Sequence, residues 1–349
     1  MKDKKQILIC GPCSAETEAQ VLTIAHEIKD IPNLKYFRAG IWKPRTRPNS
    51  FEGVGEIGLP WLQKVQTECQ LKVITEVAKA SHVELALKYG IDALWIGART
   101  TVNPFSVQEI ADALRGVDIP VFVKNPINPD LNLWIGAIER LQNVGLTQLG
   151  AIHRGFSSLL KSTYRNEPMW NLFIEFKRLI PNLPLIVDPS HMGGKDFLVA
   201  ELAQKAMDLA ADGLMIETHI SPKTAWSDAD QQLTPADLKT LLNNLIVRQE
   251  NLNSKKHLQE LEQMRDAIEE IDRRLIECLA QRAKLTDEIG KFKKKNNVTI
   301  LQVRHWDNIL KARLQQAQLL DLDQQYIKHI YQAIHEQSIA IQRHSLDKT

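Results

Sequence analysis

The sequence predicts an α/β chain, a (β/α)8 (TIM) barrel followed by a small all-α domain of three helices. Three observations carry this. Eight apolar runs rich in β-branched and aliphatic residues recur through the first two thirds of the 349-residue chain, and helix-like segments alternate with them. Potential metal ligands stand at the C-terminal ends of three runs (Cys13, His191, Glu217), with Asp228 just after the last. Groups so far apart share one cation only if the strand ends form a ring, and the strand-end face is where such a barrel carries its active site. Finally, strand signals stop beyond Arg248, and apolar residues recur at helical spacing.

The predicted strands are Gln6–Cys13, Tyr36–Ile41, Lys72–Val77, Ala93–Ala98, Pro120–Asn125, Thr147–Arg154, Pro184–Pro189 and Gly213–Ile220. Their near-continuous apolar character suits a parallel sheet buried on both faces. Helices are expected at Ala19–Lys29, Pro60–Cys69, Ser81–Tyr89, Ser106–Arg115, Asn132–Val144, Met169–Leu179 and Lys195–Ala211, with Pro235–Val247 closing the barrel. A doubly wound open sheet is the alternative; eight regular units favour closure. The barrel domain is expected over 1–247, a polar linker over 248–257 and the helical domain over 258–349. In the tail, Leu258, Leu261, Ile268, Ile271, Leu275, Leu279 and Ile289 mark a long first helix that stops at Asn296-Asn297. A second helix is expected over about 303–320 and a third over about 323–344. Three helices bury little surface alone, so the unit is expected to pair with another copy.

Net charge is +2, with 25% charged residues, so no global field points to nucleic acid or a membrane surface. The N-terminus lacks an apolar signal-peptide core, and no run approaches the roughly 20 apolar residues that span a bilayer. The four cysteines, Cys10, Cys13, Cys69 and Cys278, show no disulfide-framework spacing. A cytoplasmic protein with reduced thiols is expected.

Arg38, Lys43, Arg45, Arg99, Lys124 and Arg154 all lie at strand ends and so should reach one mouth. Clustered buried cations need anions to neutralise them, and arginine suits phosphate and carboxylate. Cys13 follows Gly11-Pro12 in a turn, which favours an exposed thiolate; Cys10 is assigned to the core. Sulfur, nitrogen and oxygen ligands together suit a divalent transition metal such as Mn, Fe, Co or Zn. His153 and His219 are candidate supporting groups.

These motifs resemble 3-deoxy-D-arabino-heptulosonate 7-phosphate (DAHP) synthase over nearly all of residues 5–245. The resemblance rests on Gly11-Pro12-Cys13-Ser14, Arg38-Ala39-Gly40, Lys43-Pro44-Arg45-Thr46, Thr75-Glu76-Val77, Gly97-Ala98-Arg99, Asp188-Pro189-Ser190-His191 and the Glu217/Asp228 pair. It implies a divalent metal, Mn2+ first, with Fe2+, Co2+ or Zn2+ also fitting, on Cys13, His191, Glu217 and Asp228. It implies phosphoenolpyruvate on Arg38, Lys43, Glu76, Arg99, Lys124 and Arg154, and erythrose 4-phosphate on Lys43, Pro44, Arg45 and Thr46. Lys43 is the candidate proton donor. Asp230 is a minor rival of Asp228, because Asp228-Ala229-Asp230 stands where Asp-Gly is more usual. Arg47-Pro48-Asn49 departs from the Ser-Pro-aromatic of many relatives. The octulosonate 8-phosphate synthases share the barrel but carry Lys-Ala-Asn-Arg-Ser-Ser where this chain has Lys-Pro-Arg-Thr. A metal-free synthase is a further, weaker alternative.

In the tail, Arg282 and Lys293 share a helix face within about 20°, whereas Arg265 lies about 100° round from Arg282. Ser338 and Gln342 form an i, i+4 pair. Residues 258–344 resemble the all-helical chorismate mutases. The resemblance implies an interlocked homodimer whose pockets take an arginine from the partner's long helix, a role it assigns to Arg282. Arg265 and Arg282 hold the carboxylates of chorismate, Lys293 and Gln342 contact its ether oxygen, and Ser338 lies beside them. Gln302, His305 and Trp306 replace Asp, Arg and Glu of some relatives, and Arg304 is one residue out of register. The two reactions are not consecutive, so feedback by prephenate or chorismate is expected; the alternative is a tail that only binds ligand or dimerises.

Overall fold

The computed structural model describes residues 6–44, 50–158, 162–248 and 254–347. The chain divides into two compact units, Met1–Glu250 and Asn251–Thr349. In the first, eight parallel strands close in sequence order into a barrel. They are β1 (Ile7–Gly11), β2 (Leu34–Arg38), β3 (Val73–Val77), β4 (Ala93–Ile96), β5 (Val121–Lys124), β6 (Leu149–His153), β7 (Leu185–Val187) and β8 (Gly213–Glu217). Around them run α1 (Glu18–Ile28), α2 (Gly58–Cys69), α3 (Ala80–Lys88), α4 (Ala98–Thr101), α5 (Pro104–Ala113), α6 (Leu131–Asn143), α7 (Trp170–Leu179), α8 (Pro189–Gly193), α9 (Asp196–Asp208) and α10 (Pro235–Asn244). Closure occurs where β1 pairs with β8, Ile7 opposite Gly213 and Gly11 opposite Glu217.

Strand periodicity splits the core in two. Ile9, Tyr36, Ile74, Ala93, Trp95, Phe122, Ile152, Ile186 and Met215 pack together inside the barrel. Their neighbours Leu8, Cys10, Phe37, Leu94, Val123 and Ala151 pack outward against the helices. This parity decides what reaches the mouth. Two residues beyond an interior side chain lies another inward position, so Tyr36, Phe122, Ile186 and Met215 are followed by Arg38, Lys124, Asp188 and Glu217.

The helices start where the chain supplies caps. Asn103, Asp130 and Thr234 accept hydrogen bonds from the first turns of α5, α6 and α10. Gly11 is needed where β1 meets β2: at φ +148° a Cβ there would lie 2.1 Å from the Arg38 carbonyl oxygen.

The second unit holds α11 (Lys255–Lys295), α12 (Val303–Leu319) and α13 (Gln324–Asp347), with α13 packed on both others. Gly290 lets α11 approach α13 closely, since a Cβ would come 3.0 Å from Gln342 Cα. Among the described residues of α11, Met264, Ile268, Leu275, Ile276, Leu285 and Phe292 are each more than half exposed. Among the described residues, no helix is long and apolar enough to cross a membrane.

Candidate active sites

Strand ends and the loops after them bring three of the four predicted ligands together. One ligand atom each from Cys13, His191 and Asp228 lie within 4.8 Å of one another. Cys13 Sγ is 3.2 Å from Asp228 Oδ2. Glu217 stands beside this group: its Oε1 is 3.7 Å from His191 Nδ1 and 2.9 Å from Arg38 Nη2. Neither Glu217 Oε1 nor His191 Nδ1 has a hydrogen bond of good geometry among the described residues. A thiol, an imidazole and a carboxylate with ligand atoms this close, and a second carboxylate beside them, are a donor set that suits a divalent transition metal, so the residues fit one. Asp228 adopts a left-handed conformation, φ 50° and ψ 43°, which a short acidic side chain tolerates better than most. Asp230 does not join the cluster.

Cys13 is fully buried, which corrects the expected exposed thiolate. Burial and then Glu217 push its thiol up to about 12, against the opposing pull of Lys43 and Arg38. Lys43 Nζ donates to Cys13 Sγ at 2.7 Å and to its carbonyl oxygen at 3.1 Å. Burial alone would lower the Lys43 ammonium, but Cys13, Glu217 and Asp228 hold it above its usual value.

Behind the ligands lies an anion cradle. Arg38 is buried over Trp95, its guanidinium carbon 5.1 Å from the ring centre, and Lys124 Nζ is 5.6 Å from the same ring. Arg38 Nε and Nη1 have no partner among the described residues. Lys124 pairs with Asp188 at 2.7 Å, and burial lowers its pKa despite that partner. Asp188 is held well below the usual carboxylate range: burial opposes this, but His191, Lys124 and Arg38 outweigh it. Arg154 donates to Asn166 Oδ1 at 2.7 Å, and burial lowers its pKa to about 10, with Arg165 and Arg99 adding repulsion. Glu76 accepts from Trp95 Nε1 at 3.1 Å and sits over Gly97, where a Cβ would meet its Oε1 at 2.0 Å.

The mouth is a cavity of about 220 Å3 reached by Lys43, Glu76, Arg99, Arg154, Arg165, His191 and Asp228. A larger cavity, about 400 Å3, opens at the opposite end beside Ile7, Leu214 and α10. Its lining is mostly apolar and brings no converging ionisable cluster, so the chemistry belongs to the smaller one.

In the helical unit, Arg282 Nη1 donates to Ser338 Oγ at 2.6 Å within one chain. Gln342 is buried, and its Oε1 has no partner among the described residues. Lys293 Nζ donates to the Ile300 carbonyl oxygen at 2.6 Å, and partial burial lowers its pKa. Trp306 stacks on His335 at 3.9 Å, and burial and Arg282 lower the pKa of His335. Arg265 stands 17 residues before Arg282, about 25 Å along the helix axis. It is exposed and pairs only locally with Glu262, at 2.5 Å.

The profile of the DAHP synthetase I family matches residues 2–254. The chain belongs to that family. The chorismate mutase type II profile matches residues 264–343, so a DAHP synthase barrel and a helical chorismate mutase share one polypeptide. A curated relative, the phospho-2-dehydro-3-deoxyheptonate aldolase of Thermotoga maritima, is 31% identical over 238 residues, 68% of each chain. The crystal structure of a Thermotoga maritima DAHP synthase matches with a TM-score of 0.60 at 28% identity, covering 75% of this chain and 70% of that one. A 2-dehydro-3-deoxyphosphooctonate aldolase of Campylobacter jejuni is 28% identical over 284 residues, 70% of this chain and 96% of its own.

The synthase barrel brings Arg38, Lys43, Pro44, Glu76, Arg99, Lys124 and Arg154 around one mouth. Arg45 and Thr46 lie outside the described residues. His153 does not reach it: Nε2 lies 2.6 Å from the Pro168 carbonyl oxygen, and the ring is packed among Trp134, Phe156, Trp170 and Phe173. His219 turns its Nε2 toward Glu16, 3.4 Å away, on the loop that follows Cys13. Sequence reasoning gave no role to Trp95, Asp188, Arg165 or Gln231. Strand parity could have found Trp95 and Asp188, while the other two sit on irregular loops that carry no periodic signal. In the mutase, Arg282 contacts Ser338 of its own chain, whereas the expectation had it lent to a partner; Arg265 is exposed and distant from that contact.

Proposed function

We propose that the barrel condenses phosphoenolpyruvate with erythrose 4-phosphate in a metal-dependent reaction and that the mutase domain reports chorismate or prephenate to it. The observation that carries the first part is the convergence of Cys13, His191 and Asp228, with Glu217 alongside, next to the Arg38–Lys124 cradle. Cys13, His191, Glu217 and Asp228 would hold the cation, Mn2+ first and Fe2+, Co2+ or Zn2+ otherwise. When bound, it polarises the aldehyde oxygen as a Lewis acid.

This chain's own groups supply the rest. Arg38, Arg99, Lys124 and Arg154, with Glu76 nearby, hold the carboxylate and phosphate of phosphoenolpyruvate, so that its carbon 3 faces the aldehyde. Lys43 hands a proton to the aldehyde oxygen as the C–C bond forms, and Lys43-Pro44-Arg45-Thr46 holds the erythrose phosphate. Water adds at carbon 2 and phosphate leaves, while the cations stabilise the developing charge. Lys-Pro-Arg-Thr in place of Lys-Ala-Asn-Arg-Ser-Ser favours the four-carbon aldose over the octulosonate reaction.

In the helical unit, Arg282, Lys293, Ser338 and Gln342 hold chorismate in a compact conformer, with Lys293 and Gln342 at the ether oxygen. The exposed stripe on α11 pairs two copies, and Arg265 crosses to the other pocket. The two reactions are not consecutive, so transfer of product between sites does not explain the fusion; an effector with different affinity for two barrel states does. The test follows phosphoenolpyruvate consumption by the full chain with erythrose 4-phosphate, after chelation and after Mn2+ addition, with and without prephenate. Turnover restored by Mn2+ and suppressed by prephenate is expected. Full turnover after chelation overturns the metal reading, and indifference to prephenate overturns the sensor.

A further inference from the structure

The two carboxylates beside the Cys13–His191 pair are tied together from behind by one amide and one guanidinium. Gln231 is buried on the loop between β8 and α10, just past Asp228. Its Nε2 donates to Glu217 Oε2 at 2.6 Å. Its Oε1 accepts from Arg165 Nη1 at 2.7 Å, and the same Nη1 donates to Asp228 Oδ1 at 2.9 Å. Each carboxylate therefore has its outer oxygen engaged from behind, while Asp228 Oδ2 faces the cluster and Glu217 Oε1 stands between His191 and Arg38 Nη2, 2.9 Å away. Asp228 Oδ2 lies 3.2 Å from Cys13 Sγ, and Glu217 Oε1 lies 3.7 Å from His191 Nδ1.

We propose that Gln231 and Arg165 form a single positioning device that fixes Glu217 and Asp228 with one oxygen each toward the cation. A carboxylate free to rotate can offer two oxygens or none. Tying the outer oxygen removes that freedom before the metal arrives, and groups that orient ligands in this way commonly contribute 10–100-fold in metal affinity. Gln231 suits the task because an amide donates at one end and accepts at the other. Glutamate in its place accepts at both ends and sets a third acidic group against Glu217. Arg165 adds a positive charge that helps hold the Asp228 carboxyl below its usual range, against burial and together with Lys43. Gln231 does not line the mouth cavity, whereas Arg165 does, so the Gln231 variants isolate the effect on metal binding.

This inference rests on the metal reading of the barrel, and the experiment separates the two. The dissociation constant of Mn2+ is measured by chelator competition on the full chain without substrates, for the wild type, Gln231→Leu, Gln231→Glu, Arg165→Leu and the Gln231→Leu/Arg165→Leu double variant. Chorismate turnover and thermal unfolding of each variant report folding. The expected result is Mn2+ affinity about 10–100-fold weaker in each single variant. The double variant should be little worse than the weaker single one, because the two residues act as a unit. In the Gln231→Leu variant, synthase turnover should return at saturating Mn2+ with an unchanged KM for phosphoenolpyruvate. Folded single variants that bind Mn2+ within about twofold of wild type overturn the proposal, and so does a double variant whose loss is the product of the single losses. A wild-type chain that binds no Mn2+ overturns the metal reading itself.

Discussion

Lys124 and Asp188 form an ion pair at 2.7 Å, with both side chains almost wholly removed from solvent, at the ends of β5 and β7, two strands apart around the barrel mouth. Asp188 also accepts from the His191 backbone N–H at 3.1 Å and lies 2.8 Å from His191 Nδ1. One carboxylate thus neutralises a buried lysine and holds the histidine that stands beside Cys13 and Asp228. Removing its charge leaves Lys124 buried without its counter-ion, a change that costs about 3–5 kcal/mol in comparable sites. Asp188→Asn should therefore lower the melting temperature of the barrel transition by roughly 6–20 °C, by the usual scaling for a domain of this size. Calorimetry on the full chain checks this, and a fall below about 2 °C would show that other groups neutralise Lys124.

Arg38, Lys124 and Arg154 are buried cations at the strand ends of the barrel, and two nitrogens of Arg38 lack partners among the described residues. A dianion that fills the cradle should stabilise the barrel by mass action, about 2.7 kcal/mol at 100 times its dissociation constant. Phosphoenolpyruvate should raise the melting temperature by roughly 5–10 °C. Pyruvate at the same concentration, which lacks the phosphate, should raise it much less. Arg154→Gln should shrink the phosphoenolpyruvate shift. Equal shifts from both compounds would place the phosphate outside the cradle.

His153 gives the barrel an acid limit. Burial lowers its pKa from 6.5 to about 4, although the Pro168 carbonyl oxygen partly opposes the shift. The folded state therefore keeps this ring neutral while the unfolded chain takes up a proton below about pH 6.5. Stability is complete above pH 6.5, is lost as pH falls through the window from 6.5 to about 4, and levels off below it. The loss amounts to about 3 kcal/mol. Urea denaturation at several pH values checks this against His153→Gln, which does not titrate there. The wild type should lose more stability than the variant across that window; parallel curves would remove His153 as the cause.

Particular residues show what the sequence could and could not tell. Eight apolar runs with strand-end cations announced the barrel because buried parallel strands carry both signals. The position of His153 could also have been read, because Ile152 and Arg154 share one parity and His153 the other. The burial of Cys13 could not: a Gly-Pro turn looks exposed until Lys43 and Asp228 close over it. Arg165 and Gln231 meet only through the tertiary approach of two irregular loops. The contact of Arg282 with Ser338 of its own chain could not be read either, because helix phase gives the direction of a side chain around the axis but not which chain's α13 lies beside it.

That last point yields the most decisive test of the mutase. Arg282 reaches Ser338 inside its own chain, while Arg265, about 25 Å away along α11, is exposed and pairs with Glu262 one turn before it. In a two-fold dimer, each pocket then combines Arg282 of one chain with Arg265 of the other. Arg265→Ala and Arg282→Ala should each reduce chorismate turnover at least tenfold as separate proteins. Mixed, unfolded and refolded together in equal amounts, they form hybrid dimers in half of all pairings. Each hybrid carries both defects in one pocket and none in the other, so about a quarter of wild-type activity should return. Recovery on that scale requires Arg265 to cross between chains. No recovery, with hybrids shown to form by mass, would return both arginines to one chain.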